Sequence, residues 1–304
     1  MIDSISTTKI LLIGASGQVG TAITAILGCT NVVVATSAAS RPGSIHLNLA
    51  EAADGKLDLP RLIDELGVRI VCCVGGMTNV ERCETDPELA IQVNCSGPAA
   101  VAAAARAANI AFAYFSTDYV FDGQSGPYSE GDAPAPLSAY GRSKLLGELA
   151  VRRVHPDALI IRTTTVYGPD PGRRNFLYGL SRAVHSSQPL RVADDQLSTP
   201  TYNRDLARTT VRLLNNDVTG IVHVAGPERL SRVEFAHRAA IAMKLDPTGI
   251  LGVPTRQLGQ AAARPLQAGL RTERLRRLLP TPPMRTIEEA ILDWQASEAL
   301  DNLL

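Results

Sequence analysis

A phenol and an ammonium four residues apart carry the first chemical signal in this chain. They are Tyr140 and Lys144, in the run Tyr140-Gly141-Arg142-Ser143-Lys144. On a helix, residues four apart share one face a single turn apart. A phenol titrates near 10 in water, so it is a poor proton relay at neutral pH. A nearby ammonium favours phenolate, and each pH unit by which it lowers the phenol pKa is worth about 1.4 kcal/mol. Thr117 stands in Phe115-Ser116-Thr117-Asp118-Tyr119-Val120-Phe121-Asp122-Gly123 and is placed to bind the same substrate oxygen. A Thr–Tyr–Lys set of this kind gives a proton to a carbonyl or takes one from an alcohol. Taken alone, Tyr-x-x-x-Lys more often marks a surface pair on a solvated helix. Its meaning depends on a nucleotide site elsewhere.

The N-terminal region supplies one. An apolar strand at 9–13 runs into Gly14-Ala15-Ser16-Gly17-Gln18-Val19-Gly20 and then a helix at 21–27. Glycines at this spacing allow a tight turn and close backbone approach to a pyrophosphate, which the free N–H groups of the helix start would bind. The pattern is weak alone and strong between a strand and a helix. The second strand, 31–36, ends without an acid before Glu51, so nothing there would repel a 2′-phosphate. Arg41 and Ser37 lie where they would bind such a phosphate. Arg41 reads equally as a solvated loop arginine. The cofactor expected is therefore NADPH, with NADH as the alternative. Asn48 and Leu49 fall near the adenine end, and Gly75, Gly76 and Thr78 follow a third strand at 69–74.

Those elements must deliver the proton relay to the same crevice. The apolar run 110–115 ends in hydroxyls, as a buried parallel strand does at the C-terminal edge of a sheet. A helix over 140–154 follows, after start signals at Pro136 and Ser138. An Ala-rich stretch, 87–108, reads as one long helix, and 158–162 as a fifth strand. Strands alternating with helices predict an α/β fold: a doubly wound, Rossmann-like parallel sheet. Residues 1–167 form the dinucleotide-binding part, with 203–225 returning to it. Residues 168–304 read as a smaller α+β substrate-binding lobe. It has helices at 175–184, 205–214, 231–242 and 287–300, a polar loop at 194–201 and a strand at 220–225. Arg173, Arg174 and Arg264 could bind a diphosphate, although arginine clusters are more often solvated surface.

Bulk properties narrow the classes. Lysine plus arginine and aspartate plus glutamate are balanced at 30 each, which argues against nucleic acid or an anionic membrane as partner. No apolar run has membrane-spanning length, and no export signal is evident. The five cysteines lack metal-ligand spacing, so no metal is expected and reduced thiols in a cytoplasmic protein are the reading.

Taken together, the motifs resemble the extended short-chain dehydrogenase/reductases, and among them the dTDP-4-dehydrorhamnose reductases. The resemblance spans nearly the whole chain. It rests on the glycine loop, Thr78-Asn79-Val80-Glu81-Arg82-Cys83-Glu84 with Val93-Asn94, Ser116 to Gly123, and Pro127-Tyr128-Ser129-Glu130. It continues through Tyr140 to Lys144 with Gly147-Glu148, Arg162 to Gly168, Asn175-Phe176, Asp195-Gln196 with Pro200-Thr201, and Arg264-Pro265. It implies that Thr117, Tyr140 and Lys144 are catalytic. It implies cofactor contacts at Gly14, Gly17, Gln18, Val19, Gly20, Gly75, Gly76 and Thr78. Val80, Asp118, Tyr119, Asn175, Gln196 and Arg264 would hold the sugar nucleotide. Three positions depart from the pattern: Thr165 stands for a tryptophan, Ala22 for a metal-linked glutamate and Met77 for a histidine. The resulting expectation is a 4-ketoreductase of a nucleotide-activated 4-keto-6-deoxysugar, monomeric or homodimeric. The alternatives are an epimerase on the same scaffold, or a non-catalytic partner resembling the methionine adenosyltransferase β subunit.

Overall fold

The computed structural model describes residues 8–28, 32–36 as backbone, 44–186, 188–281 and 284–297. Seven parallel strands form the central sheet. Their order is Gly220–His223, Leu159–Thr163, Ala111–Thr117, Ile70–Cys73, Ile10–Ile13, Val32–Thr36 and Ile45–His46. Successive strand residues point to opposite faces. Ile10 and Leu12 accordingly pack with Ile23, Leu206 and Val211 on one side. Leu11 and Ile13 pack with Leu49, Ile63 and Val101 on the other. Both faces are covered by helices, which is why the central strands read as unbroken apolar runs. This is the doubly wound α/β architecture that the alternation predicts.

Strand order reverses at Ile10–Ile13, which lies between Val32–Thr36 and Ile70–Cys73. Open sheets bind ligands in the crevice at such a point. The loops that begin at Gly14 and Val74 leave neighbouring strand ends there. They touch closely: a Cβ on Gly14 would lie 2.6 Å from Gly75 Cα, and Gly14 has a positive φ of 86°.

The stretch 87–108 is not one helix. Pro87–Ile91 is α-helical, Gln92–Ser96 is π-helical and Gly97–Ala107 is α-helical again. Pro98 has no N–H to offer the Asn94 carbonyl four residues earlier. That carbonyl instead accepts the Tyr114 hydroxyl at 2.6 Å. Gly147, on the helix Ala139–Val154, presses against the same carbonyl, and a Cβ there would also lie 2.5 Å from the Tyr114 hydroxyl. The helix Ala139–Val154 is thereby seated on the π-turn. Its start is fixed by Ser138, whose hydroxyl accepts the Gly141 N–H at 3.1 Å.

The remaining helices Phe176–His185, Arg232–Ala242 and Ile287–Ala296 surround a separate apolar cluster that includes Tyr178, Phe235 and Trp294. Beside them run two short parallel strands that the sequence reading lacks, Leu190–Ala193 and Ile250–Val253. The expected polar loop 194–201 contains Leu197–Ser198, which pairs antiparallel with Leu230–Ser231. The chain also returns to the main sheet. The helix Asn203–Asn215 packs on Gln18–Leu27, and Glu273–Leu278 packs beside Gly220–His223.

Candidate active site

Thr117 ends its strand at the crevice, 6% exposed, and its hydroxyl accepts the Tyr119 N–H at 3.2 Å. Tyr140 and Lys144 sit one turn apart on Ala139–Val154. The Tyr140 ring meets the Tyr119 ring edge-on, with centroids 5.5 Å apart. Lys144 is 5% exposed, and its Nζ lies 4.1 Å from the centre of the Tyr114 ring. The same Nζ is 3.8 Å from where a Cβ on Gly76 would stand. The fold thus brings Thr117, Tyr140 and Lys144 together beside the third-strand glycines.

One electrostatic expectation is corrected. Burial raises the Tyr140 phenol well above its ordinary value, and the Thr117 side chain acts in the opposite sense without offsetting it. Lys144 is drawn over the Tyr114 ring, and any lowering by its ammonium is outweighed by burial. Burial instead brings the Lys144 ammonium down to about 8, opposed by Cys73, Glu148 and Cys83. At neutral pH, Tyr140 is a fully protonated donor and Lys144 is still mostly charged.

Behind the helix Ala139–Val154 lies a buried ion pair. Arg162 Nε and Nη2 donate to Glu148 at 2.8 and 2.6 Å, and both side chains are 2% exposed. The Ser116 hydroxyl donates to the same carboxylate. This pair ties the end of the Thr117 strand to the helix of Tyr140. Asn94, fully buried, accepts the Met77 N–H at 2.8 Å and donates to Ser143 Oγ at 3.0 Å. It thereby clamps the Gly75-Gly76-Met77 loop to that helix.

The glycine loop fits a pyrophosphate. The helix Gln18–Leu27 begins at Gly17 with no side-chain cap, so its first N–H groups face the crevice unclaimed. Gly17 leaves space there, Gly20 packs on the loop backbone, and Val19 packs against the core. The Gln18 amide donates to Gly168 O at 3.3 Å. Asn48 caps the helix Leu49–Ala53 through the Ala50 N–H at 2.9 Å. Leu49 is core, 1% exposed, so its side chain faces away from any ligand. Thr78 is exposed on its loop. Ser37 and Arg41 lie outside the described residues.

The residues expected on the substrate side come from both parts of the chain. Asp118 is 2% exposed, accepts the Thr164 hydroxyl at 2.6 Å and is raised by burial to about 6. Val80 opens the helix Val80–Thr85. Arg264 lies 5.9 Å over the Tyr119 ring, and its Nη2 donates to Glu81 at 2.5 Å. Its Nη1 is buried without a partner. Asn175 caps Phe176–His185 and donates to Gly168 O at 2.8 Å. Gln196 spends its amide on Thr255 and Gln260, at 2.9 and 3.0 Å. Arg173 and Arg174 are exposed in a turn closed by Asp170, away from this cluster. Arg232 was not foreseen. Its guanidinium lies 4.4 Å over the Phe176 ring.

The family model described as the RmlD substrate binding domain matches residues 8–296. The chain belongs to that family. Among its relatives is the probable low-salt glycan biosynthesis reductase Agl14 of Haloferax volcanii, 40% identical over 69% of this chain and 71% of the relative. The dTDP-4-dehydrorhamnose reductase of Burkholderia thailandensis is 31% identical, over 88% and 92% of the two chains. Among solved structures, the dTDP-4-dehydrorhamnose reductase of Clostridium acetobutylicum superposes with a TM-score of 0.85 at 28% identity, covering 96% and 99%. That of Bacillus anthracis, in complex with NADP, gives 0.84 at 26%, covering 95% and 99%. Thr165, where the resemblance leads one to expect a tryptophan, has a strained backbone, φ 41°, and its hydroxyl donates to Ser198 Oγ at 3.0 Å.

Proposed function

We propose that this protein reduces the 4-keto group of a nucleotide-activated 4-keto-6-deoxysugar. The observation that carries the reading is the convergence of Thr117, Tyr140 and Lys144 on the crevice into which the uncapped Gln18–Leu27 helix points. NADPH, when bound on the glycine loop, supplies the hydride for C4. The chain supplies the rest. Thr117 orients the keto oxygen by donating a hydrogen bond. Tyr140 gives that oxygen its proton, and burial keeps the phenol protonated for this step. Lys144 holds the cofactor ribose, its ammonium drawn toward Gly76 by the Tyr114 ring. Asp118, Tyr119, Val80, Asn175, Gln196 and Arg264 surround the sugar nucleotide. The division of labour assigns the dinucleotide to residues 1–167 with 203–225, and the sugar nucleotide to the rest.

The reading includes a cytoplasmic setting and a monomer or homodimer. No described helix is long and apolar enough to cross a membrane. Cys72, Cys73 and Cys83 are buried free thiols. Light scattering of the purified protein measures the assembly state. The functional test is NADPH oxidation with a panel of dTDP-, UDP- and GDP-4-keto-6-deoxysugars. Turnover with at least one is expected. No turnover with any, together with a stoichiometric protein partner in pull-downs, would move the protein to the regulatory class.

A further inference from the structure

Arg232 lacks the ion pairs that hold several other arginines of its lobe. Arg238 grips Glu228 and Glu288, Arg204 and Arg285 share Asp293, and Arg208 pairs with Asp205. Among the described residues, Arg232 has no carboxylate within ion-pair distance. Its neighbour Glu234 is spent on the capping box of Ser231, accepting the Ser231 N–H at 2.8 Å. The Arg232 N–H donates to Gln196 O at 2.9 Å, which fixes its backbone against the loop residue expected to meet the substrate. Its guanidinium rests on Phe176, the first residue of the helix that Asn175 caps. The fields of Tyr119, Arg264 and Asp118 all reach it.

Charge balance in this cleft follows from the pairings. Arg264 is offset by Glu81, which also accepts the Ala261 and Ala262 N–H groups at 3.0 Å. Arg232 has no ion pair among the described residues and feels Asp118 only through its field, so its half-buried guanidinium is left without a direct counter-ion in the cleft. A guanidinium stacked flat on an aromatic ring keeps its N–H edge free to grip phosphate oxygens.

We propose that Arg232 is the principal cation for the substrate's diphosphate, that it makes the site prefer nucleoside diphosphates to monophosphates, and that Arg264 is its weaker partner. This rests on the sugar-nucleotide reading above. It also reverses the rank that sequence alone suggests, because the carboxylate on Arg264 cancels most of that residue's attraction for an anion.

Calorimetric titration of the full chain with dTDP, dTMP and thymidine tests it, using the parent, Arg232→Gln and Arg264→Gln. Arg232→Gln should weaken dTDP about 10–100-fold, the usual size for a lost charge-assisted contact, while thymidine changes less than about twofold. Arg264→Gln should weaken dTDP by a smaller factor. NADP affinity, unchanged in both, reports intact folding. Unchanged dTDP binding in Arg232→Gln, or an equal loss of thymidine, would overturn the assignment and leave the sugar-nucleotide reading standing. A parent that binds none of dTDP, UDP and GDP would overturn both.

Discussion

Replacing Lys144 by Met exchanges a buried ammonium for an apolar chain of similar length on the Tyr114 ring. In the unfolded chain this ammonium titrates near 10.5, and in the folded protein at about 8, because burial disfavours charge. Between those values the unfolded chain holds more protons than the folded one. Stability of the parent therefore rises with pH from about 8 to 10.5, and the whole penalty is present below 8. At about 1.4 kcal/mol per pH unit, the penalty is about 3 kcal/mol. The cation–π contact, worth about 1 kcal/mol, is lost in the variant, although a thioether also packs well on an aromatic ring. Lys144→Met should thus be more stable than the parent by roughly 2 kcal/mol at pH 7, with the gain fading towards pH 10.5. Its kcat should fall by about 10²-fold or more, because the ribose anchor is gone. Urea unfolding of both proteins without nucleotide, from pH 6 to pH 10, measures the difference. A variant less stable at pH 7, or a difference that does not change with pH, would refute the claim that a desolvated ammonium sits here at a cost.

Tyr140→Phe keeps the ring contact with Tyr119 and removes the proton; kcat should fall roughly 10²–10⁴-fold with NADPH affinity nearly unchanged, as read by single-turnover kinetics and fluorescence titration. Glu148→Gln leaves Arg162 charged and buried with no counter-ion, so denaturant unfolding should show a loss of about 3–5 kcal/mol. The double change Glu148→Leu with Arg162→Met removes both charges and should recover much of that loss; if it does not, the pair contributes more than mutual neutralisation.

The strand ends, the glycine loop and the spacing of Tyr140 and Lys144 were legible because each is a local pattern: an apolar run, a turn, one helical repeat. Quantities set by burial were not. Whether Lys144 lowers the phenol of Tyr140 depends on the surroundings of both groups, and here desolvation outweighs the ammonium. Arg264 looked like a free cation because Glu81, its partner, is 183 residues away. Arg232 carries no local signal in the sequence, since the ring beneath it belongs to another helix. The π-turn did have a signal: Pro98 sits four residues after Asn94, where a continuous helix needs an N–H. The strands Leu190–Ala193 and Ile250–Val253 are half exposed and short, so neither carries a clear alternation.

The Gly168 carbonyl accepts from Gln18, at the start of the glycine-loop helix, and from Asn175, at the start of the helix that carries Phe176. One oxygen thus serves as a common hinge pin for the two halves of the crevice. If a bound phosphate moves the Gln18 turn, the shared oxygen is the atom through which Asn175 would register that movement. Thermodynamic reciprocity then fixes the accounting: whatever factor NADP adds to the affinity for a sugar nucleotide, the sugar nucleotide returns to NADP. Gln18→Ala cuts one side of the pin and should bring that factor close to one while leaving each ligand able to bind alone, as titrations of dTDP with and without saturating NADP would show.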